Sequence, residues 1–339
     1  MGEEKNYVIR DIVDLSGEIG TSATTVQPPF SLTRRGGQSL RKDTAYVVTS
    51  GTDISCTEPS VGFSPSSLTG LRLWVDPSDS STHHLVSGLV HRIDDKSGNG
   101  YYMESPATVN DIPLGTIGGV TPIPSFDIDN TNRRMLCKNS SNSLVALPGV
   151  INPSAAIGAS TKPLPYDVYV VSQATATPGA KQADPSDNGN VFGQIYAPGG
   201  VVASAGRNWW GLFYNGDDEY QAYQRVNAAP FDINNDHAVA LSSINVIQFS
   251  HNDPGGIADT DASSNLVSSI NGGAQTTTSS ARYFTDRTAT PDYIVGLGVD
   301  LPSTYAFQGQ IGEILVFNRV LSADERTLVT NYLVDKWST

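Results

Sequence analysis

The sequence predicts an all-β domain that closes with one C-terminal helix and follows an extended N-terminal arm. Only 16% of the 339 residues are charged, while the chain contains 32 glycines and 20 prolines. This composition suits many short strands joined by turns. Residues 307–337 then change from strand-like to helix-like patterning, so one late strand precedes one terminal helix. The length accommodates one large β-domain with an additional segment, or two domains.

Residues 1–60 form the predicted arm. Apolar residues between Tyr7 and Ile19 are spread among acidic ones and are too few for a core, so this segment needs a partner surface. Four basic residues cluster between Leu32 and Lys42, and they fit either contact with an acidic neighbour or a solvated hairpin turn. Residues 61–70, rich in Gly, Pro and Ser, are the predicted linker.

The main domain is predicted to begin with a strand at Leu71–Asp76, LRLWVD. An Asn271-Gly272-Gly273 sequence predicts a hairpin turn, because Asn and Gly tolerate the positive φ that such turns need. Further strands are predicted at 167–173, 190–196, 209–214, 221–226, 237–250, 266–270 and 293–299.

The C-terminal strand is predicted at Gln310–Phe317. Both of its alternating sets of residues are apolar, so it is covered on both sides. Ser322 and Glu325 then have the spacing of a capping box, which marks a helix start. The helix is predicted to end near Lys336. Its apolar face consists of Leu328, Val329, Tyr332 and Leu333.

This closing segment, Asn318–Trp337, resembles the end of laminin-G-like, concanavalin A-like jelly-roll domains. Two further stretches match that family's pattern, DDKSGNG at Asp94–Gly100 and SFDIDN at Ser125–Asn130, the latter in place of the usual F-D-G turn. The resemblance covers residues 71–339. It implies an antiparallel jelly-roll sandwich in which the first and last strands lie in one sheet.

The formal net charge of −13 argues against nucleic acid as the main partner, because phosphate contacts need concentrated Lys and Arg. Residues 1–70 hold 6 basic and 8 acidic side chains, a net charge of −2, which leaves −11 for the rest of the chain. This acidity fits either a solubilising surface or Asp-rich loops that bind calcium.

The cysteines, Cys56 and Cys137, lack metal-ligand spacing, and we expect buried free thiols. The N-terminal sequence has no apolar segment of the signal-peptide type, and no stretch approaches the roughly 18 apolar residues of a membrane span. The sequence therefore predicts a protein that is neither exported by a signal peptide nor inserted in a membrane.

No catalytic residue is predicted. Glucanases that share the concanavalin-like fold carry an E-x-D-x-x-E pattern, which none of the eight glutamates forms here. Glu313 is the one glutamate well placed in a predicted core strand, and we expect it to pair with Arg72 or Arg319. No G-x-S-x-G motif occurs, and neither cysteine has a histidine close in sequence.

Calcium is the one candidate cofactor, and ordinary turn formation by Asp and Asn is the interpretation that the sequence favours. Two loops offer the hard oxygen ligands that calcium prefers, although neither has EF-hand spacing. The candidate ligands are Asp184, Asp187, Asn188 and Asn190 in the first loop, and Asp253, Asp259 and Asp261 in the second.

Glycan binding is the favoured function of the domain. Sugar sites combine aromatic platforms with amide and carboxylate groups, and one short stretch supplies all three. The candidate residues are Trp209, Trp210, Tyr214, Asn215, Asp217, Tyr220 and Tyr223. Adjacent Trp209 and Trp210 face opposite ways on a strand, so one is expected in the core and the other exposed.

An arm followed by an outer jelly roll, without a signal peptide, resembles phage virion structural proteins such as head fibres, capsid decoration proteins and tail-fibre subunits. The first hypothesis is therefore a non-enzymatic virion protein, assembled in the host cytoplasm, that forms a homo-oligomer. Residues 1–60 would bind other virion proteins, and the outer domain would contact host-surface polysaccharide. The alternative is a carbohydrate-active enzyme or its glycan-binding module, and a surface-layer protein is disfavoured.

Overall fold

A computed structural model describes residues 24–26, 46–48, 63–118, 122–129, 133–144, 165–177, 189–196, 210–225, 232–252, 264–280, 293–298 and 307–337. The chain divides into two compact units, Met1–Phe63 and Ser64–Thr339. In the first unit, strands β1 (Thr24–Val26) and β2 (Tyr46–Val48) pair antiparallel. The assignments of residues 1–60 as an arm and 61–70 as a linker remain predictions.

The described part of the second unit contains seventeen further strands and one α-helix. In chain order they are β3 (Leu71–Val75), β4 (His83–Val86), β5 (Leu89–Asp94), β6 (Tyr101–Glu104), β7 (Leu114–Ile117), β8 (Ile123–Asp129), β9 (Met135–Asn139), β10 (Tyr166–Ala174), β11 (Gly189–Tyr196), β12 (Trp210–Tyr214), β13 (Glu219–Arg225), β14 (Asp232–Ala238), β15 (Asn245–Asn252), β16 (Ser264–Ile270), β17 (Thr276–Ser280), β18 (Tyr293–Leu297), β19 (Gln308–Phe317) and α1 (Ala323–Trp337).

These strands form two antiparallel sheets within the described ranges. The eight-stranded sheet has the order β17-β16-β15-β10-β19-β8-β7, and β3 pairs with β19 beside β8. The nine-stranded sheet has the order β14-β13-β12-β11-β18-β9-β6-β5-β4. Trp74 of β3 lies opposite Leu315 of β19, which confirms the expectation that the first and last strands of the domain lie in one sheet.

The core lies between the two sheets. Every second residue of the central strands points inward, so each sheet contributes one apolar face. Val170 and Ile314 come from the eight-stranded sheet, while Phe192 and Leu212 come from the nine-stranded sheet, and all four are fully buried. The predicted all-β antiparallel sandwich with a C-terminal helix is thereby confirmed.

Helix α1 begins with the predicted capping box. The Ser322 N–H donates to Glu325 Oε2 at 2.9 Å, and the Glu325 N–H donates to Ser322 Oγ at 3.3 Å. Both guanidinium NH₂ groups of Arg319 donate to the Glu325 carboxylate at 2.7 Å, and Arg319 Nε donates to the Thr69 carbonyl at 2.9 Å. The helix start is therefore tied to the segment before β3.

The helix packs on the outward face of the eight-stranded sheet. Val329, Leu333 and Trp337 are buried there. A bulge in β19 places Gly312 and Glu313 opposite Val171 alone, and a Cβ on Gly312 would lie 3.1 Å from the Trp337 ring. Within the described ranges, the nine-stranded sheet has no such helix on its outward face.

One strand prediction is wrong. The stretch predicted as a single strand at 237–250 consists of the end of β14 and most of β15, separated by a turn. Ser242 in that turn has φ 63°, and the Ser243 N–H donates to the Ala240 carbonyl at 3.1 Å. The hairpin prediction at Asn271 is confirmed, because β16 and β17 pair across it and Asn271 has φ 50°.

Candidate functional site

The β12–β13 hairpin carries most of the predicted glycan-binding residues, and three of its rings lie in the core. Trp210, Tyr214 and Tyr220 are each at most 1% exposed. The Trp210 ring lies 5.2 Å from the Tyr166 ring between centroids. Tyr220 donates its hydroxyl to Ser172 Oγ at 2.8 Å, across the sandwich. Since each ring is enclosed by the core, none of the three has a free face for a sugar.

Asn215 shapes the turn of the hairpin. Its Oδ1 accepts from the backbone N–H groups of Asp217 at 2.9 Å and Glu219 at 3.2 Å, and its Nδ2 donates to Glu219 Oε2 at 2.9 Å. These bonds account for the side chain's complete burial. Asp217 is exposed at the tip of the turn.

These positions correct the sequence-based site. Trp210, Tyr214 and Tyr220 pack in the core and Asn215 holds the turn, so these four side chains have structural roles. Trp210 Nε1 has no hydrogen-bond partner in the described part of the chain. Trp209 lies outside the described residues. Tyr223 is fully buried as well, and a role for Trp209, Asp217 and Tyr223 in glycan binding stays a prediction.

The outward face of β12, β13 and β14 brings together residues that the sequence analysis missed. Phe213 and Tyr223 form an edge-to-face pair with ring centroids 5.6 Å apart at 89°. Beside them, Asp236 Oδ1 accepts from Gln221 Nε2 at 2.7 Å and from Asn234 Nδ2 at 2.8 Å. We call Phe213, Gln221, Tyr223, Asn234 and Asp236 the outward patch.

The outward patch combines buried and accessible groups. Its two rings and Gln221 are buried, whereas Asn234 is half-buried and Asp236 is exposed. The arrangement offers a carboxylate held by two amides at the surface, which is the chemistry that binds sugar hydroxyls. Alternation from Leu212, an inward residue flanked by Gly211 and Phe213, would have predicted the outward position of Phe213 from sequence.

Glycines adjoin the patch on the same face. Gly296, Gly193 and Gly211 are consecutive cross-strand partners on β18, β11 and β12. A Cβ on Gly211 would lie 3.2 Å from the Phe213 ring, so that ring lies over the glycine backbone. At these three positions the sheet surface beside the patch therefore carries no side chain.

The calcium prediction is untested. Asp184, Asp187, Asn188, Asp253, Asp259 and Asp261 all lie outside the described residues. Among the residues that are described, no group of three or more His, Cys, Asp or Glu side chains is arranged to hold a metal ion. Cys137 is buried and free, and burial raises the pKa of its thiol well above the ordinary value.

Glu313 does not pair with Arg72 or Arg319, which corrects the sequence-based expectation. It lies fully buried between β3, β19 and α1. Burial raises the pKa of this carboxyl above its ordinary value, with Asp76 adding to the effect and Lys336 opposing it. Its four donors are Trp74 Nε1 at 2.6 Å, Tyr332 Oη at 2.8 Å, Lys336 Nζ at 2.6 Å and Trp337 Nε1 at 3.1 Å. Because its carboxylate accepts hydrogen bonds from β3 and from α1, Glu313 attaches the helix to the sheet.

Asp167 is a second buried acid under the same helix. Its carboxylate accepts from Gln248 Nε2 at 2.6 Å, from the Leu321 N–H at 3.1 Å and from Arg326 Nε at 3.1 Å. Burial raises its pKa from 3.8 to about 6, against the opposing effects of Arg326 and the other donors. Asp167 therefore binds a proton more readily in the folded chain than in the unfolded one.

This raised pKa predicts a pH-dependent stability. Because the folded pKa exceeds the unfolded one, the contribution of Asp167 is complete below pH 3.8 and is lost as the pH rises through about 6. Relative to Asp167→Asn, the wild-type chain should lose roughly 3 kcal/mol of unfolding free energy between those limits. Urea unfolding of both chains from pH 4 to 7 measures the difference. A wild-type chain that instead gains stability relative to the variant would show that the donors outweigh burial.

None of the helices in the described part of the chain is both long and apolar enough to cross a membrane.

Solved structures similar to this chain include two neurotoxin domains and one arabinanase domain. The receptor-binding domain of botulinum neurotoxin D matches with TM-score 0.47 and 10% identity, covering 78% of this chain and 53% of that one. The serotype D ligand-binding domain in complex with N-acetylneuraminic acid matches with TM-score 0.44 and 10% identity, covering 77% and 50%. Domain 4 of AbnA, a GH43 extracellular arabinanase from Geobacillus stearothermophilus in complex with arabinotriose, matches with TM-score 0.39 and 14% identity, covering 77% and 97%.

The chain thus spans about half the length of the neurotoxin domains that it matches. Two of these three domains were solved with a sugar bound. At these TM-scores the likeness carries no argument about function, and the sandwich assignment rests on the strand pairing and core described above. No family model matches the chain, and no curated protein matches it.

Proposed function

We propose that this chain is a non-enzymatic virion component whose second unit, Ser64–Thr339, binds host-surface glycan through the outward patch. The observation that carries the glycan proposal is the exposed Asp236 carboxylate with its two amide donors, which lies beside the buried Phe213–Tyr223 pair. Amides and a carboxylate match the hydroxyl groups of a sugar.

Accessibility favours the polar edge of the patch as the first contact. Asp236 is exposed and Asn234 is half-buried on β14, the edge strand of its sheet in the described part of the chain. Trp209 is the proposed platform, because the sequence predicts that it and Trp210 face opposite ways, and Trp210 lies in the core.

The virion part of the proposal rests on the sequence. Residues 1–20 carry too few apolar groups for a core of their own, which favours attachment to a larger assembly. The segment resembles the anchoring arms of head fibres, capsid decoration proteins and tail-fibre subunits in its position before a jelly roll. A homo-oligomer and calcium in the Asp-rich loops belong to the same proposal.

A panel of purified bacterial polysaccharides tests the glycan site. We expect the full-length Asn234→Ala/Asp236→Ala variant to bind with a Kd about tenfold or more weaker than the wild type, because it removes both accessible polar groups. The matched control is Asn331→Ala/Asp335→Ala, which removes an exposed amide and an exposed carboxylate from α1. Equal binding by both variants would contradict the site, and release of reducing sugar by the wild type would contradict the non-enzymatic role.

Deletion of the arm tests its role in assembly. A chain that lacks residues 1–60 should retain polysaccharide binding but fail to join the particle. Normal incorporation of the truncated chain would contradict the anchor.

A further inference from the structure

Arg134 is an exception among the basic side chains that the structure describes. Nearly all the other lysines and arginines described with their side chains bind at least one carboxylate. Arg72 instead donates to the Asn318 amide oxygen. The side chain of Arg134 has no carboxylate or amide oxygen as a partner within the described residues. Its Nε is buried without a hydrogen bond. In a chain with 34 acidic and 21 basic residues, an unpaired guanidinium is unexpected.

Arg134 lies on the outward face of the nine-stranded sheet. It directly precedes β9, in which Met135 and Cys137 point into the core and Leu136 is buried on the other face. Alternation therefore places Arg134 on the same face as Leu136. That is the face that carries the outward patch, three strands further along the sheet.

A second unpartnered group occupies the same face. Asn190 of β11 is 2% exposed, and both its Oδ1 and its Nδ2 lack hydrogen-bond partners in the described part of the chain. Its cross-strand partner is Phe213, a member of the outward patch. A buried amide with neither polar atom bonded is rare in folded proteins, and a bound ligand, ion or water would satisfy it.

Only β18 lies between β9 and β11, and Gly298, the residue that follows β18, borders both neighbouring segments. A Cβ on Gly298 would lie 2.4 Å from the Arg133 carbonyl oxygen, and the Gly298 N–H donates to the Val191 carbonyl at 3.2 Å. Gly298 thus contacts the residue before Arg134 and the residue after Asn190. Two strand spacings separate the two side chains, roughly 10 Å between backbones, which an arginine side chain can largely span.

We infer that Arg134 and Asn190 bind the carboxylate of an acidic sugar, such as a uronic acid residue, in the glycan. The inference rests on the proposed glycan binding. A guanidinium binds a planar carboxylate through two parallel N–H donors, and the Asn190 amide donates a further bond to it. A neutral sugar would leave the guanidinium without its charge partner. The site therefore extends the outward patch across the glycine-bearing strand β18.

Polygalacturonate and its fully methyl-esterified form test this inference, because esterification removes the charge and keeps the sugar backbone. The full-length chain should bind the acid form with a Kd about tenfold or more lower than that for the ester. Arg134→Gln should abolish this preference, and Arg134→Lys should restore part of it, since lysine keeps the charge without the planar fork. Arg92→Gln is the matched control, because Arg92 already pairs with Asp94.

Equal wild-type binding of the acid and ester forms would overturn the inference and leave glycan binding itself standing. A preference that survives in Arg134→Gln would also overturn it. If neither polymer binds, titration with methyl glucuronide decides. Binding that Arg134→Gln abolishes would support the carboxylate site and remove the case for an extended glycan, whereas no binding would overturn the site.

Discussion

Replacing Glu313 by alanine should lower the free energy of unfolding by about 3–5 kcal/mol. The substitution leaves four donors around an empty buried space, including the Lys336 ammonium and two indole N–H groups. Lys336 also binds Asp76 Oδ1 at 2.9 Å, so one charge partner remains, but that carboxylate is shared with Lys96. The loss should therefore come mainly from unsatisfied buried donors.

Urea unfolding of the wild type, Glu313→Ala and Glu313→Gln measures this loss. Glutamine keeps an acceptor oxygen at nearly the same volume, so its loss should be smaller than that of alanine. Arg319→Ala provides a comparison at the other end of the helix, where the pair with Glu325 is half-buried and should contribute about 1 kcal/mol or less. An alanine variant as stable as the wild type would contradict the structural role of Glu313.

Replacing Trp210 by alanine should cost about 3–5 kcal/mol of stability. Its ring packs in the core against Tyr166, Phe192 and Phe249, with centroid distances of 5.2, 6.0 and 6.0 Å. The cavity would lie at the centre of the sandwich, where neighbouring strands cannot collapse into it freely.

Trp209→Ala is the matched substitution, because it removes the same ring from the adjacent position. We expect Trp209→Ala to weaken polysaccharide binding and to change stability by much less than Trp210→Ala. Unfolding curves and binding to the polysaccharide panel, measured on both variants, separate the two roles. If Trp210→Ala left stability intact and abolished binding, the ring would be a glycan platform instead of a core residue.

The C-terminal segment could be predicted from sequence because its signals are local. The Ser322–Glu325 capping box acts within one helical turn. In β19, apolar residues on both faces of the strand predict that both faces are buried. The turn at Asn271 is equally local. By contrast, β14 contains the polar sequence DINNDHA, and its pairing with β13 depends on contacts that no periodicity shows.

The candidate site could be predicted only in part, because burial on the two faces of a sheet is a tertiary property. The sequence located the β12–β13 hairpin, but it did not show that Tyr214 and Tyr220 share the inward face with Leu212. The partner of Glu313 was missed for a similar reason. Lys336 reaches it only because α1 folds back over β19, whereas Arg319, which is nearer in sequence, is held by Glu325.

Hydrogen exchange of the full-length chain, with and without a saturating polysaccharide from the panel, tests the central claim most directly. If the outward patch is the binding site, bound glycan should slow exchange in peptides from β12, β13 and β14, which carry Phe213, Tyr223 and Asp236. Peptides from β7 and β8, at the opposite edge of the other sheet, should exchange at unchanged rates. Protection confined to β7 and β8, with none at the outward patch, would contradict the assignment of glycan binding to this face.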